Sequence, residues 1–117
     1  MKDNILQKKS FNFALRTIKA FKYLKDSKKE YVLSKQFLRS GTSIGANIEE
    51  ALGGQSKSDF ISKISIAYKE ARETNYWIKL LKSAGYFSEK DANSLLTDTE
   101  ELLKIMGRIQ KTLKYNS

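Results

Sequence analysis

Four carboxylates, Glu49, Glu50, Glu70 and Glu73, come nearest to chemistry by type and spacing. Glu70 and Glu73 are three residues apart, so a helix places both on one face. A di-iron site in a helical bundle needs Glu-x-x-His on two helices, and the chain has no histidine. It has no cysteine either. The usual zinc and haem ligands are therefore missing, as is every Ser-His or Cys-His nucleophile system. An all-carboxylate magnesium or calcium site is the remaining metal reading, and polar pairing outweighs it. Glu70 and Glu73 share a helical stripe with Trp77 and have Arg39, Arg72 or the Asn47 amide as candidate partners. The expectation is no catalytic residue, no metal site and no cofactor.

Gly41-Thr-Ser-Ile-Gly45 has the glycines of a phosphate loop but not its lysine, since Ala46-Asn47 follows. Close helix packing suits it better: missing side chains let backbones approach. Ser40, Ser43 and Asn47 can bond across helices, although mid-helix serine more often bonds back to its own backbone. Tyr68, Tyr76, Trp77, Tyr86 and Phe87 cluster on and after one helix. At that spacing they read as core, or as anchors of a subunit contact where exposed.

The charge is informative in its distribution. The net charge is +9, and residues 1–39 carry eleven Lys/Arg against three Asp/Glu, while the rest is near balance. Such asymmetry suggests a surface for a polyanion, nucleic acid foremost. The plainer reading is a solvated lysine-rich face that confers solubility.

These residues have to be positioned by helices. There is no proline, no alternating strand pattern, and apolar residues recur every three or four positions. Helix 1 is expected from about Ile5 or Ser10 to Lys25, its core stripe being Phe11, Ala14, Leu15, Ile18, Phe21 and Leu24. The opposite arc carries Lys8, Lys9, Asn12, Arg16, Lys19 and Tyr23. Helix 2, about Val32 to Leu52, has Phe37, Gly41, Ile44, Ile48 and Ala51 as its stripe. It stops at Gly53-Gly54, expected in the left-handed conformation. Helix 3, about Lys57 to Ala84, starts at Ser56 with Asp59 in the capping-box place. It has one stripe of Phe60, Ile64, Ala67, Ala71, Thr74, Ile78 and Leu81, and a second of Ile66, Glu70, Glu73, Trp77 and Leu80. Two stripes call for two neighbours, or one neighbour and a partner subunit. Helix 4 begins at Ser88 with a heptad of Ala92, Leu95, Thr99, Leu102, Met106, Ile109 and Leu113.

Length and pattern predict a single all-α domain over 1–117, an antiparallel up-down-up-down four-helix bundle. One end then collects Lys2, Lys8, Lys9, Lys57, Arg108, Lys111 and Lys114 with little acid nearby. Nucleic-acid contacts are expected from Lys8, Lys9, Arg16, Lys19, Arg108 and Lys111. No apolar run is long enough to span a membrane and the N-terminus has no apolar signal core, so the expected compartment is the cytoplasm.

The stretch Phe37–Tyr86 carries a resemblance. Arg39-Ser40, then Ser43-Ile44, Ala46-Asn47-Ile48 and Glu50, then Ser56, Asp59 and Phe60, then Ala67, Glu70 and Glu73, and Gly85-Tyr86 at the end, match a pattern. It resembles the signature of the four-helix-bundle family encoded within intervening sequences of bacterial 23S rRNA genes. Gly45 stands where that family often has proline. Gly53-Gly54, with Gln55 and Lys57, replaces its Gly-x-x-Arg region. The resemblance implies a four-helix bundle, a homopentameric ring, and kinship with the basic accessory protein of diversity-generating retroelements. It implies no established catalytic activity. RNA or DNA, or another protein, are the implied partners. Arg39, Ser43, Asn47, Glu50, Asp59, Glu70, Glu73 and Trp77 are the structural or interface residues.

Overall fold

The computed structural model describes residues 4–115, with side chains through Leu113. Four helices follow in order: α1 (Ile5–Asp26), α2 (Leu33–Leu52), α3 (Lys57–Ser83) and α4 (Glu89–Tyr115). Three begin on the residue that a cap requires. The side chains of Asn4, Ser56 and Ser88 accept from the N–H groups of Gln7, Asp59 and Asp91 at 2.8, 3.0 and 3.1 Å. Helix α2 starts differently, because Val32 offers no side-chain cap. The buried Glu30 carboxylate takes that role, accepting from the N–H groups of Val32, Leu33 and Ser34 at 3.2, 3.0 and 2.6 Å. Burial alone would raise the Glu30 pKa. The three amides outweigh it and hold the carboxyl below its ordinary value. The chain reaches this geometry through Lys29, whose φ of 56° is left-handed.

The pairs that bond across helices run antiparallel. Gln7 meets Glu49, Arg39 meets Glu70 and Glu73, Asn75 meets Thr99, and Arg16 meets Ser94 and Asp98. Each helix packs on its neighbours in sequence, and α1 packs more lightly on α4. This is the pairing of an up-down-up-down bundle, 46 Å long and 21 to 23 Å across.

The expected stripes of α2 and α4 are turned inward, as is the first stripe of α3. Phe37 of α2 meets Phe87, just before α4, edge to face at 5.7 Å. The stripe expected for α1 is corrected. Its buried residues are Leu6, Ser10, Phe13, Thr17 and Leu24. Phe11, Leu15 and Ile18 face outward at 61%, 53% and 39% exposure. The reason lies in α2. A Cβ on Gly41 would come within 2.6 Å of the Thr17 methyl carbon, and one on Gly45 within 3.4 Å of the Ser10 carbonyl oxygen. Helices this close admit only small residues between them, so Ser10 and Thr17 displace larger apolar side chains. Their hydroxyls are satisfied within α1 by the carbonyls of Gln7 and Phe13.

A second correction concerns Gly53-Gly54. Gly53 has φ −90°, and Gly85 is the one glycine of the described residues at positive φ, +85°. The first turn needs glycine for space: a Cβ on Gly54 would sit 3.2 Å from both the Ala51 carbonyl oxygen and the Asp59 Cβ. Only the second turn needs the left-handed backbone.

Candidate nucleic-acid interface

Between Asn4 and Lys25 the chain carries six cations and no carboxylate. The expected binding face on α1 divides when the helix packs. Lys9 Nζ pairs with Glu101 Oε2 at 3.1 Å. Arg16 pairs with Asp98 at 2.5 Å and donates to the Ser94 hydroxyl at 2.9 Å. These two cations therefore serve the α1–α4 seam and are neutralised there. All four groups keep about a third or more of their side-chain surface exposed, so each pair adds at most about 1 kcal/mol.

Lys19 is exposed and forms no ion pair among the described residues. It lies on the rim of a cleft between α1 and the start of α4. There Arg16, Lys19, Ala20 and Tyr23 of α1, with Phe87, Asp91 and Leu95, line an open cleft of about 360 Å³. Tyr23 brings an aromatic ring beside the lysine.

The basic end of the bundle is less purely basic than expected. Lys8 lines a shallow groove with Gln7, Phe11, Asn12 and Glu49, and the Gln7 amide donates to Glu49 at 2.8 Å. Arg108 lines another with Glu100, Glu101 and Lys104. Lys57 and Lys111 are exposed. Glu49 and Glu101 thus place acid at an end expected to have little. Lys2 and the Lys114 side chain lie outside the described residues.

Of the residues expected to be structural or interface residues, Arg39, Glu70, Glu73 and Trp77 form one cluster. Arg39 donates to Glu70 at 3.2 Å and also to Glu73, and the Trp77 indole donates to Glu73 at 2.9 Å. Beneath it the Ser40 and Thr74 hydroxyls meet at 2.9 Å, joining α2 to α3 inside the core. Ser43 and Asn47 bond back to the carbonyls of Arg39 and Ser43 in their own helix. Glu50 is exposed, and Asp59 is a capping-box residue whose N–H reaches Ser56. Among the described residues no group of three or more His, Cys, Asp or Glu gathers as metal ligands would.

Sequence reasoning missed the outward apolar strip of Phe11, Leu15 and Ile18. A signal for it existed. Gly41 and Gly45, four apart on α2, call for small residues opposite, and α1 offers Ser10 and Thr17 on the arc away from Phe11. Beside the strip, a groove of about 220 Å³ between α1 and α2 is lined by Gln7, Ser10, Phe11, Ala14, Thr42, Gly45, Ala46 and Glu49.

Fold and surface together define an all-α four-helix bundle with a basic first helix and, among the described residues, no helix long and apolar enough to cross a membrane. The chain belongs to the 23S rRNA-intervening sequence protein family, whose sequence profile matches residues 2–108. It is similar to a protein of unknown function from the S23 ribosomal protein family of Bacteroides thetaiotaomicron, known from a crystal structure. The two are 47% identical with a TM-score of 0.90, over 92% of this chain and 99% of the other. No curated protein matches the chain.

Proposed function

We propose that the protein is a non-enzymatic, cytoplasmic, homo-oligomeric bundle, pentameric as the family resemblance implies, that binds RNA through backbone phosphates. The observation that carries this reading is the charge of α1: six cations against the single carboxylate of Asp26 at its C-terminal end, with Lys9 and Arg16 engaged by carboxylates of α4. Lys19 is the central contact, at a cleft that also presents Tyr23 to an unpaired base. Arg108 and Lys111 extend the contact along the exposed side of α4, and Lys8 extends it along α1. Five copies would carry +45 formal charges, and binding would be steeply salt-dependent with weak sequence preference.

The test is RNA binding by the full chain at ~50 and ~200 mM salt, where phosphate contacts weaken by orders of magnitude. Wild-type protein is expected to bind at low salt and release at high salt. Lys19→Glu is expected to weaken binding about tenfold or more through loss of one phosphate contact and added repulsion. Undetectable binding at low salt overturns the reading.

The exposed apolar strip of α1 favours a second reading, a scaffold that holds another protein and has no nucleic-acid role. Recovery of one stoichiometric protein partner from nuclease-treated extract, abolished by Leu15→Glu, would support it.

A further inference from the structure

The bundle leaves the polar groups of the α1–α4 cleft unused. Arg16 sets the register there, since Ser94 and Asp98 hold it and the two helices run antiparallel. About one and two turns further along α1 come Lys19 and Tyr23, and the start of α4 supplies Asp91 to the same cleft. Asp91 uses its backbone N–H in the cap with Ser88. Among the described residues its carboxylate has no hydrogen-bond or ion-pair partner, and neither has the Tyr23 hydroxyl. The floor is apolar: Ala20 is half-buried, and Phe87 and Leu95 are buried. A volume of about 360 Å³ lies at the low end for small-ligand sites, room for one nucleotide and not for a stack of them.

We infer that this cleft takes one unpaired guanine of a single-stranded RNA. Tyr23 stacks on the base, Lys19 holds its phosphate, and the Asp91 carboxylate accepts from the guanine N1–H and N2 amino group. This rests on the RNA-binding reading above and specifies one base within it. Asp91 selects the base. A carboxylate beside a phosphate only repels it, so in this cleft Asp91 is of use as an acceptor for the base itself. Ionised, it offers two acceptor oxygens and no donor. Guanine alone among the four bases presents two adjacent donors on its Watson–Crick edge, the edge that unpaired bases leave open to a protein. Adenine and cytosine set a ring-nitrogen acceptor beside the amino group, and uracil flanks its one N–H with two carbonyls. Each of those three turns a lone pair toward Asp91. Phosphate contacts elsewhere on the chain carry no sequence information, so the preference amounts to one base per chain and the overall preference stays weak.

The test measures binding of the full chain at ~50 mM salt to four RNAs of about ten nucleotides, a span one single-strand-binding domain covers. All are uridine except for one central base, which is G, A, C or U. The wild-type chain is expected to bind the G-containing RNA about tenfold more tightly than the all-uridine one, with the A- and C-containing RNAs close to the latter. Asp91→Asn, at an exposed position and with helicity matched to wild type, is expected to weaken the G-containing RNA about tenfold. It should leave the all-uridine RNA unchanged or bound more tightly, because a charge that repels phosphate is gone. Tyr23→Leu is expected to weaken all four about fivefold or more through lost stacking. If Asp91→Asn tightens all four alike, Asp91 acts only by its charge and the inference is overturned. Unchanged binding by Tyr23→Leu, or a wild-type preference for another base, overturns it as well. Equal binding of all four by the wild-type chain overturns the guanine site and leaves the RNA-binding reading standing. Binding to none of them overturns both.

Discussion

Small side chains decide the interior of this bundle. Gly41 is there because Thr17 is opposite, and an added methyl would overlap it. Gly41→Ala gains up to about 1 kcal/mol of helix propensity and loses about 1–3 kcal/mol to overpacking. Net destabilisation by about 1 kcal/mol is expected in chemical denaturation, and Thr17→Ala in the same chain should recover most of it. Glu30 is the second decisive residue, since no other side chain caps α2. Replacing a cap costs about 1 kcal/mol, so Glu30→Gln is expected to lower stability by that order at neutral pH. The sign of its pH dependence follows from the lowered pKa. The carboxylate contribution is complete above the ordinary value of 4.5 and is lost as pH falls through the lower folded-state value. The difference between wild type and Glu30→Gln should therefore shrink on acidification below pH 4.5 and not between pH 6 and 8. Denaturation curves at a series of pH values check this.

At the scale of helices, the α2–α3 pair is bolted twice, by Ser40–Thr74 inside and by Arg39 with Glu70 and Glu73 outside. The outer pairs are partly exposed and contribute little stability. Their larger effect is to fix Glu73 where it receives the single tryptophan's indole. Arg39→Ala is expected to change stability by less than about 1 kcal/mol and to shift the Trp77 emission as its surroundings loosen. An unchanged spectrum would mean that Arg39 does not position the Glu73–Trp77 contact. Periodicity disclosed α2 and α4 because each has one apolar arc. It failed for α1, which has two arcs, and hydropathy ranks Phe11, Leu15 and Ile18 above the arc holding Ser10 and Thr17. The candidate site suffered the same way. Lys19 kept the exposed place expected of it, but nothing local to Lys9 or Arg16 announces Glu101 and Asp98, more than eighty residues away.

At the scale of the whole molecule, the pairs of the α1–α4 seam bear on the proposed RNA binding. With Lys9 and Arg16 held by α4, fewer phosphates can be contacted per chain than the lysine count of α1 suggests. The slope of log K against log salt should accordingly fall short of about −0.7 for each cation of α1, the value for single-stranded nucleic acid when every cation contacts a phosphate. Titration of single-stranded RNA at four or five salt concentrations measures it. Releasing Arg16 by Asp98→Asn should steepen the slope.

The sequence by itself determined the four helices, their caps at Ser56 and Ser88, the core arcs of α2, α3 and α4, and the absence of histidine and cysteine chemistry. All of these depend on near neighbours along the chain: capping spans three residues and an apolar arc repeats every three or four. Only the tertiary structure decided which arc of α1 is buried and which cations α4 neutralises. It also decided that Gly54 serves space while Gly85 serves backbone conformation. Those outcomes depend on what stands opposite. A glycine pair on α2 draws α1 too close for a large side chain at Ser10 and Thr17, and Phe11, Leu15 and Ile18 are left on the outside.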